Sequence, residues 1–164
     1  MKKKTTDHGK AKKGEEKIMA LMKRKQFYSV ICKGEIVGVV EQSGFEIKID
    51  GEIFNAYRDE NKDRAYIIDP QTGLAACIYH YPWNERETPS EIEMIKRARN
   101  KLITEDKECF EKWRTEERSK ESYKLTVEIF ATYIKAEKLR EKQKEAVSRE
   151  LCGQLAAGQE KGER

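Results

Sequence analysis

The side chains that most often carry catalysis or bind metals are few and scattered in this sequence. The two histidines, His8 and His80, are too few for the H-E-x-x-H zinc motif or for a paired-histidine nuclease. No cysteine pair has C-x-x-C spacing, and no histidine lies at a zinc-ligand distance in sequence from any cysteine. The cysteines are Cys32, Cys77, Cys109 and Cys152. Glycine-rich phosphate motifs and the G-x-S-x-G nucleophile motif are also missing, so we expect no catalytic residues, no metal and no cofactor.

One short fragment has the pattern of a nuclease centre. Glu46-Ile47-Lys48 matches the E-x-K pair with which metal-dependent nucleases hold magnesium and polarise phosphate, but that chemistry needs a further carboxylate from a preceding strand. The upstream acids Glu35 and Glu41 stand in an ordinary context. Alternating charges are also what any strand with one solvated face displays. We therefore interpret the fragment as a solvated face and expect the protein not to be an enzyme.

The most unusual run in the chain is aromatic. Strand alternation places Tyr79, Tyr81 and Trp83 on one face, with His80 on the other. One interpretation is a patch that stacks on bases or anchors a protein partner, because Tyr and Trp dominate binding hot spots. The other is that the helices following in sequence cover this face, since large aromatic side chains are buried on average. The sequence leaves both interpretations open.

A basic N-terminal arm is the second candidate for binding. Its cations could neutralise several phosphates of a nucleic acid, or they could form a solubilising tail. The candidate nucleic-acid contacts are Lys2, Lys3, Lys4, Lys10, Lys12, Lys13, Lys23, Arg24 and Lys25. The net charge of +4 divides into +7 for residues 1–25, −5 for residues 26–85 and +2 for the remainder. Any affinity for phosphate should therefore reside in the arm.

Hydrophobic periodicity predicts a sheet followed by helices. Residues 27–81 alternate with a period of two and divide at turn residues into six short strands, which should pair as an antiparallel meander because every connection is short. The predicted breaks include Gln42-Ser43-Gly44, the type I′ pair Asp50-Gly51 and the turn Asp69 to Gly73. The expected fold class is α+β, with an antiparallel β-meander of about six strands packed against C-terminal α-helices.

Helix signals occupy residues 89–151. Thr88-Pro89-Ser90-Glu91 reads as a capping box with Thr88 as N-cap, and Thr104 reads as a second start. A short helix is also expected over residues 15–25. Residues 123–134 fit a strand or a helix, and we favour a helix because strong helix formers follow; it would then be apolar on two faces. The domain limits are a disordered arm at 1–14, one domain at 15–151 and a disordered tail at 152–164.

The segment around the turn Asp69 to Leu74, D-P-Q-T-G-L, together with the capped helix after it, resembles a β-meander-plus-helix module of small accessory proteins from bacterial conjugative elements and phages. The resemblance spans about residues 45–103 and implies genomic company rather than residue roles. Some proteins of that company inhibit host defence nucleases, including anti-CRISPR proteins.

These observations favour a non-catalytic binding protein of a mobile element. The first expectation is contact with nucleic acid or a nucleoprotein through the basic arm. The alternative is a protein-directed inhibitor of a host defence nuclease, acting through the acidic sheet or the long helix. Leu139, Ala146, Val147 and Leu151 continue an apolar seam that could also support a homodimer. No stretch is apolar enough to span a membrane and no secretory signal is visible, so we expect a soluble cytoplasmic protein.

Overall fold

The computed structural model describes residues 23–33 and 36–160, which form an α+β fold. Five antiparallel strands come first and the helices follow. The strands are β1 Arg24–Lys33, β2 Ile36–Ile49, β3 Glu52–Arg58, β4 Arg64–Ile68 and β5 Ala75–His80, in the spatial order β1-β2-β3-β4-β5. The helices are α1 Glu91–Lys101, a π-helical turn Leu102–Asp106, α2 Lys107–Thr115 and α3 Lys120–Glu160.

The described part of the chain has five strands rather than the six that we expected, because the second and third predicted strands are one. Strand β2 pairs with β1 over Ile36 to Phe45 and with β3 over Phe45 to Ile49. Gly44 lies inside it and does not end it. A Cβ atom at Gly44 would lie 2.1 Å from the Ala56 carbonyl oxygen, so this glycine permits a close approach of two backbones.

Both predicted helix starts are displaced. The N-cap of α1 is Ser90 rather than Thr88, and its hydroxyl accepts a hydrogen bond from the Glu93 amide at 3.2 Å. Thr104 caps no helix, because it lies within the π-helical turn that joins α1 directly to α2, and its hydroxyl donates to the Asn100 carbonyl. The helix predicted for residues 15–25 is wrong at its C-terminal end, because Arg24 and Lys25 belong to strand β1. Residues 15–22 lie outside the described residues.

The main core lies between one face of the sheet and the helices. Helix α1 crosses β3, β4 and β5 and buries Met94, Ile95 and Ala98 against them. The sheet side chains of this core are Ile47, Ile49, Phe54, Ala56, Ala65, Ile67 and Cys77. Leu102 and Phe110 continue the same apolar surface from the π turn into α2. Burial of these side chains is the main favourable term for the fold.

The opposite face of the sheet carries a smaller core because the sheet curls. Phe27, Tyr57 and Ile68 are buried together there, although β1 and β4 are separated by two strands. The Val30 amide of β1 donates to the Gly73 carbonyl in the β4–β5 turn at 2.8 Å. Only a curled sheet can bring its first strand to that turn, so the β1–β2 hairpin bends back over the rest.

The segment at 123–134 is helical, and its two apolar faces differ in their surroundings. Tyr123 and Phe130 are buried, whereas Leu125, Ile129 and Tyr133 are exposed. Helix α3 continues past Leu151 to Glu160, so residues 152–160 of the expected disordered tail are helical. The arm at 1–14 and residues 161–164 lie outside the described residues.

Candidate interaction surfaces

The structure places only the last part of the basic arm. Lys2 to Lys13 lie outside the described residues, whereas Lys23 is exposed just before β1. Arg24 pairs with Glu91 at 2.6 Å and lies over the Phe45 ring, and Lys25 pairs with Glu46 at 2.6 Å. Two of the three described arm cations are therefore already engaged with the protein's own acids.

The E-x-K fragment has the arrangement expected of a surface strand. Glu46 and Lys48 are both exposed, and the Glu46 carboxylate is the partner of Lys25. Within residues 23–33 and 36–160, no three His, Cys, Asp or Glu side chains lie close enough together to hold a metal ion. Glu46 thus has a structural role in joining β1 to β2.

The aromatic run is divided between core and surface. Tyr79 packs against the main core and its hydroxyl accepts a hydrogen bond from Arg97 at 3.2 Å. Tyr81 also packs against the core, and its hydroxyl lies 2.7 Å from the Glu85 carbonyl oxygen and 2.9 Å from that of Glu87. Trp83 is 94% exposed. The three side chains therefore do not form one patch, and Trp83 alone faces solvent.

Residues 81–90, which we call the Trp83 loop, are fixed by polar contacts. Arg97 of α1 donates to the Glu85 carboxylate at 2.7 Å and to Glu93 at 3.4 Å. Its hydrogen bond to the Tyr79 hydroxyl, followed by that to Glu85, raises the guanidinium pKa, which keeps the charge in place. The Arg58 guanidinium donates to the Pro89 carbonyl at 3.0 Å. The loop is thus held at its middle and at its end.

Charged side chains of both signs cluster at the end of the sheet that carries Trp83. The Tyr81 amide donates to the Asp63 carbonyl at 2.8 Å, which brings the Trp83 loop beside the β3–β4 connection and Arg64, the first residue of β4. Together the Trp83 loop and residues 59–64 hold five acidic and three basic side chains, and the guanidinium groups of Arg58 and Arg97 also contact the loop. Burial raises the pKa of Asp59, whose carboxylate also accepts the amides of Asp63 and Arg64.

A second exposed surface runs along α3. We call it the outer stripe; its members are between 47% and 71% exposed, and α3 holds seven of the thirteen large exposed hydrophobic side chains in the described residues. The outer stripe consists of Leu125, Ile129, Tyr133, Leu139, Val147, Leu151 and Leu155. Scattered apolar side chains are normal on a surface, but a row of this length on one side of a helix is typical of an interaction site.

The two surfaces lie at opposite ends of the β4–β5 hairpin. The Trp83 loop leaves the end of β5 next to Asp63, whereas α3 packs at the β4–β5 turn, where Phe130 covers Gly73 and the Tyr123 hydroxyl donates to Asp69 at 2.8 Å. A strand of six residues separates these ends by about 20 Å. One small partner site cannot include both surfaces.

A shallow groove of about 480 Å³ lies beside β5 in the described part of the chain. Lys101 crosses it, donating to the Ile78 carbonyl at 2.9 Å and pairing with Asp106 at 3.4 Å. Cys77 on its wall is buried and its thiol lies 3.4 Å from the Ala98 carbonyl; burial, with a smaller contribution from Asp106, raises the pKa of that thiol to about 12. A protonated buried thiol is a packing group rather than a nucleophile.

Comparisons with known proteins return no match: no family model, no curated protein and no solved structure is similar to this chain. None of the helices in the described ranges is both long enough and apolar enough to cross a membrane. The function must therefore be inferred from the geometry of the two surfaces.

Proposed function

We propose that this is a non-catalytic binding protein that docks on another protein through the Trp83 loop. The observation that carries the proposal is the 94% exposure of Trp83 on a loop held by Arg97 and Arg58. A tryptophan buries a large area on contact and has only two side-chain torsions to immobilise. Because the loop is already ordered, little further entropy is lost when a partner covers the ring.

The exposed acids around the loop support one class of partner. The acidic side chains of residues 59–64 and 84–87 favour a surface that carries lysines and arginines next to an apolar pocket. Enzymes that handle nucleic acid present such surfaces, because they neutralise phosphates. We therefore favour inhibition of a host defence nuclease by direct binding, as anti-CRISPR proteins do, over direct contact of the folded part with nucleic acid.

The test uses the full chain as bait in a nuclease-treated host lysate, followed by calorimetry with the purified partner. Trp83→Ala should weaken binding at least thirtyfold, corresponding to a hot-spot loss of about 2 kcal/mol. Glu87→Lys on its own should also weaken binding, and the loss should be larger at low salt, because a rim charge mainly affects electrostatic attraction. Ile92→Ala, an exposed apolar position on α1, is the matched control.

Two outcomes would overturn the proposal. If every captured protein is lost on nuclease treatment, the contact runs through nucleic acid. If Trp83→Ala and Ile92→Ala bind the partner equally well, the Trp83 loop is not the docking site. Circular dichroism of Trp83→Ala should match the wild type, because the ring is exposed and its removal leaves no cavity.

A further inference from the structure

The distal half of α3 is a helix that receives almost no packing from its own domain. Every residue from 138 to 158 is exposed, and the side-chain contact that links this half to the sheet joins Glu141 to the Tyr28 hydroxyl at 3.1 Å. In proteins, most of a helix's stability comes from the packing of its apolar face rather than from intrinsic helix propensity. Gly153 and Gly158 each lower the stability of the helix by about 1 kcal/mol relative to alanine. A surface that covers the outer stripe would supply the missing stabilisation.

The charges within the outer stripe indicate what covers it. Arg140 and Glu150 interrupt the apolar row, and both lie on the same side of α3 as Leu139 and Leu151. Arg140 also pairs with Glu137 of its own helix at 3.0 Å, so an inter-subunit pair would share its guanidinium group. A two-fold axis at residue 145, with two α3 helices antiparallel, sets each Arg140 opposite Glu150 of the partner subunit. The same axis sets each Leu139 opposite Leu151 of the partner subunit. One charge pair and one apolar pair therefore match under this symmetry operation, whereas Leu155 falls opposite Lys135 of the partner subunit.

We propose that the outer stripe is a self-association surface on which a second copy of this chain pairs antiparallel, centred at residue 145. An isologous interface requires that each residue and its counterpart exchange roles, which the Arg140–Glu150 and Leu139–Leu151 pairs do. The axis also places Gln143 opposite Val147 of the partner subunit. Glu145 at the centre lies about half a turn from both positions and therefore points away from the partner. The proposal does not depend on the Trp83 loop, which lies at the other end of the β4–β5 hairpin.

Sedimentation equilibrium on the full chain tests the pairing. The wild type should approach twice the chain mass of 19.2 kDa as its concentration rises through the micromolar range. Leu151→Lys should return it to the monomer, and so should Arg140→Glu, which sets two acids opposite each other twice. Lys138→Glu, on a different side of α3, is the matched charge-reversal control and should leave the mass unchanged.

Mixing two variants tests the antiparallel arrangement itself. Arg140→Glu and Glu150→Arg should each be monomeric alone, and an equimolar mixture should dimerise, because each acid then faces a base. Circular dichroism should show less helix in the monomeric variants than in the mixture. A wild type that remains monomeric throughout the micromolar range overturns the proposal, and so does an Arg140→Glu variant that dimerises as well as the wild type.

Discussion

Asp69 organises the β4–β5 turn and is the only buried acid in the part of the chain that the structure describes. Its carboxylate accepts hydrogen bonds from the Gln71 amide, the Thr72 hydroxyl and the Tyr123 hydroxyl. The carboxylate thus has partners for its charge although it is buried, which is the condition for tolerating a buried acid. The same residue that makes the turn also receives α3, so local turn chemistry and helix docking depend on one side chain.

The buried tyrosines predict a loss of stability in alkali. Burial raises the pKa of Tyr57 to about 12, and burial together with the hydrogen bond to Asp69 raises the pKa of Tyr123 above its ordinary value of 10.0. Above pH 10 the unfolded chain therefore releases protons that the native state keeps, so the free energy of unfolding falls as the pH rises from about 10 to 12. Urea unfolding at a series of pH values measures this decline.

Variants separate the ionisation of Tyr57 from other alkaline effects. Tyr57→Phe should flatten the decline, since phenylalanine cannot ionise, although it also loses the hydroxyl contacts at all pH values. Tyr133→Phe, at an exposed position on α3, should keep the wild-type decline. An identical slope above pH 10 for Tyr57→Phe and Tyr133→Phe would show that ionisation of Tyr57 is not responsible.

At the scale of the element, two glycines are required by close packing rather than by turn formation alone. Gly73 has a φ of +68°, and a Cβ atom there would lie 2.2 Å from the Phe130 ring. Gly44 has the Ala56 carbonyl oxygen in the equivalent position at 2.1 Å. Gly44→Ala and Gly73→Ala should each lower the free energy of unfolding by about 1–3 kcal/mol, the usual cost of overpacking.

Gly38→Ala is the control for this prediction, because nothing lies within 4 Å of its Cβ position. It should leave the urea midpoint almost unchanged or raise it slightly, since alanine restricts the unfolded chain more than glycine does. If Gly44→Ala and Gly38→Ala have the same midpoint, the close approach of β2 to Ala56 is not required for folding.

The order of elements could be predicted from the sequence because it depends on local periodicity. The Asp50-Gly51 turn was also predictable, and both residues have the positive φ values of 50° and 82° that a type I′ turn needs. The prediction of a sixth strand was wrong. Gln42-Ser43-Gly44 has the composition of a turn, but Gly44 lies inside β2, where the nearby Ala56 carbonyl leaves no room for a side chain. A sequence cannot distinguish these two uses of glycine without knowing which strand lies alongside.

The candidate sites could be predicted only in part. The sequence grouped Trp83 with Tyr79 and Tyr81 as one candidate patch. In the structure the two tyrosine hydroxyls form hydrogen bonds with Arg97 and with loop carbonyls, whereas Trp83 faces solvent. Arg97 gave no signal in the sequence, since its partners are 4, 12 and 18 residues away and belong to three different elements. The second apolar face of α3 was visible in the spacing of Leu125, Ile129 and Tyr133.

At the scale of the whole molecule, the two charged regions predict different partners. The arm holds most of the net positive charge, whereas the described sheet and loops are acidic. Deletion of residues 1–22 should abolish retention on DNA or RNA in low salt, because the cations Arg24 and Lys25 are paired with Glu91 and Glu46. Retention on a phosphate resin at rising salt measures the loss.

The control for the deletion is Lys25→Ala in the full chain. It removes a cation that is already paired, so retention should change little. If the shortened chain is retained as strongly as the full chain, nucleic-acid binding by the arm is wrong, and the Trp83 loop proposal is unaffected. Binding of the protein partner by the shortened chain should equal that of the wild type.

The curl of the sheet also limits how molecules can polymerise. The outer margin of β1 has its Val30 amide occupied by Gly73, and the outer margin of β5 has its Ile78 carbonyl occupied by Lys101. A bare strand margin is a template on which further chains add to form fibres. With both margins partly blocked, the chain can display a long apolar row on α3 while strand-by-strand growth into amyloid is disfavoured.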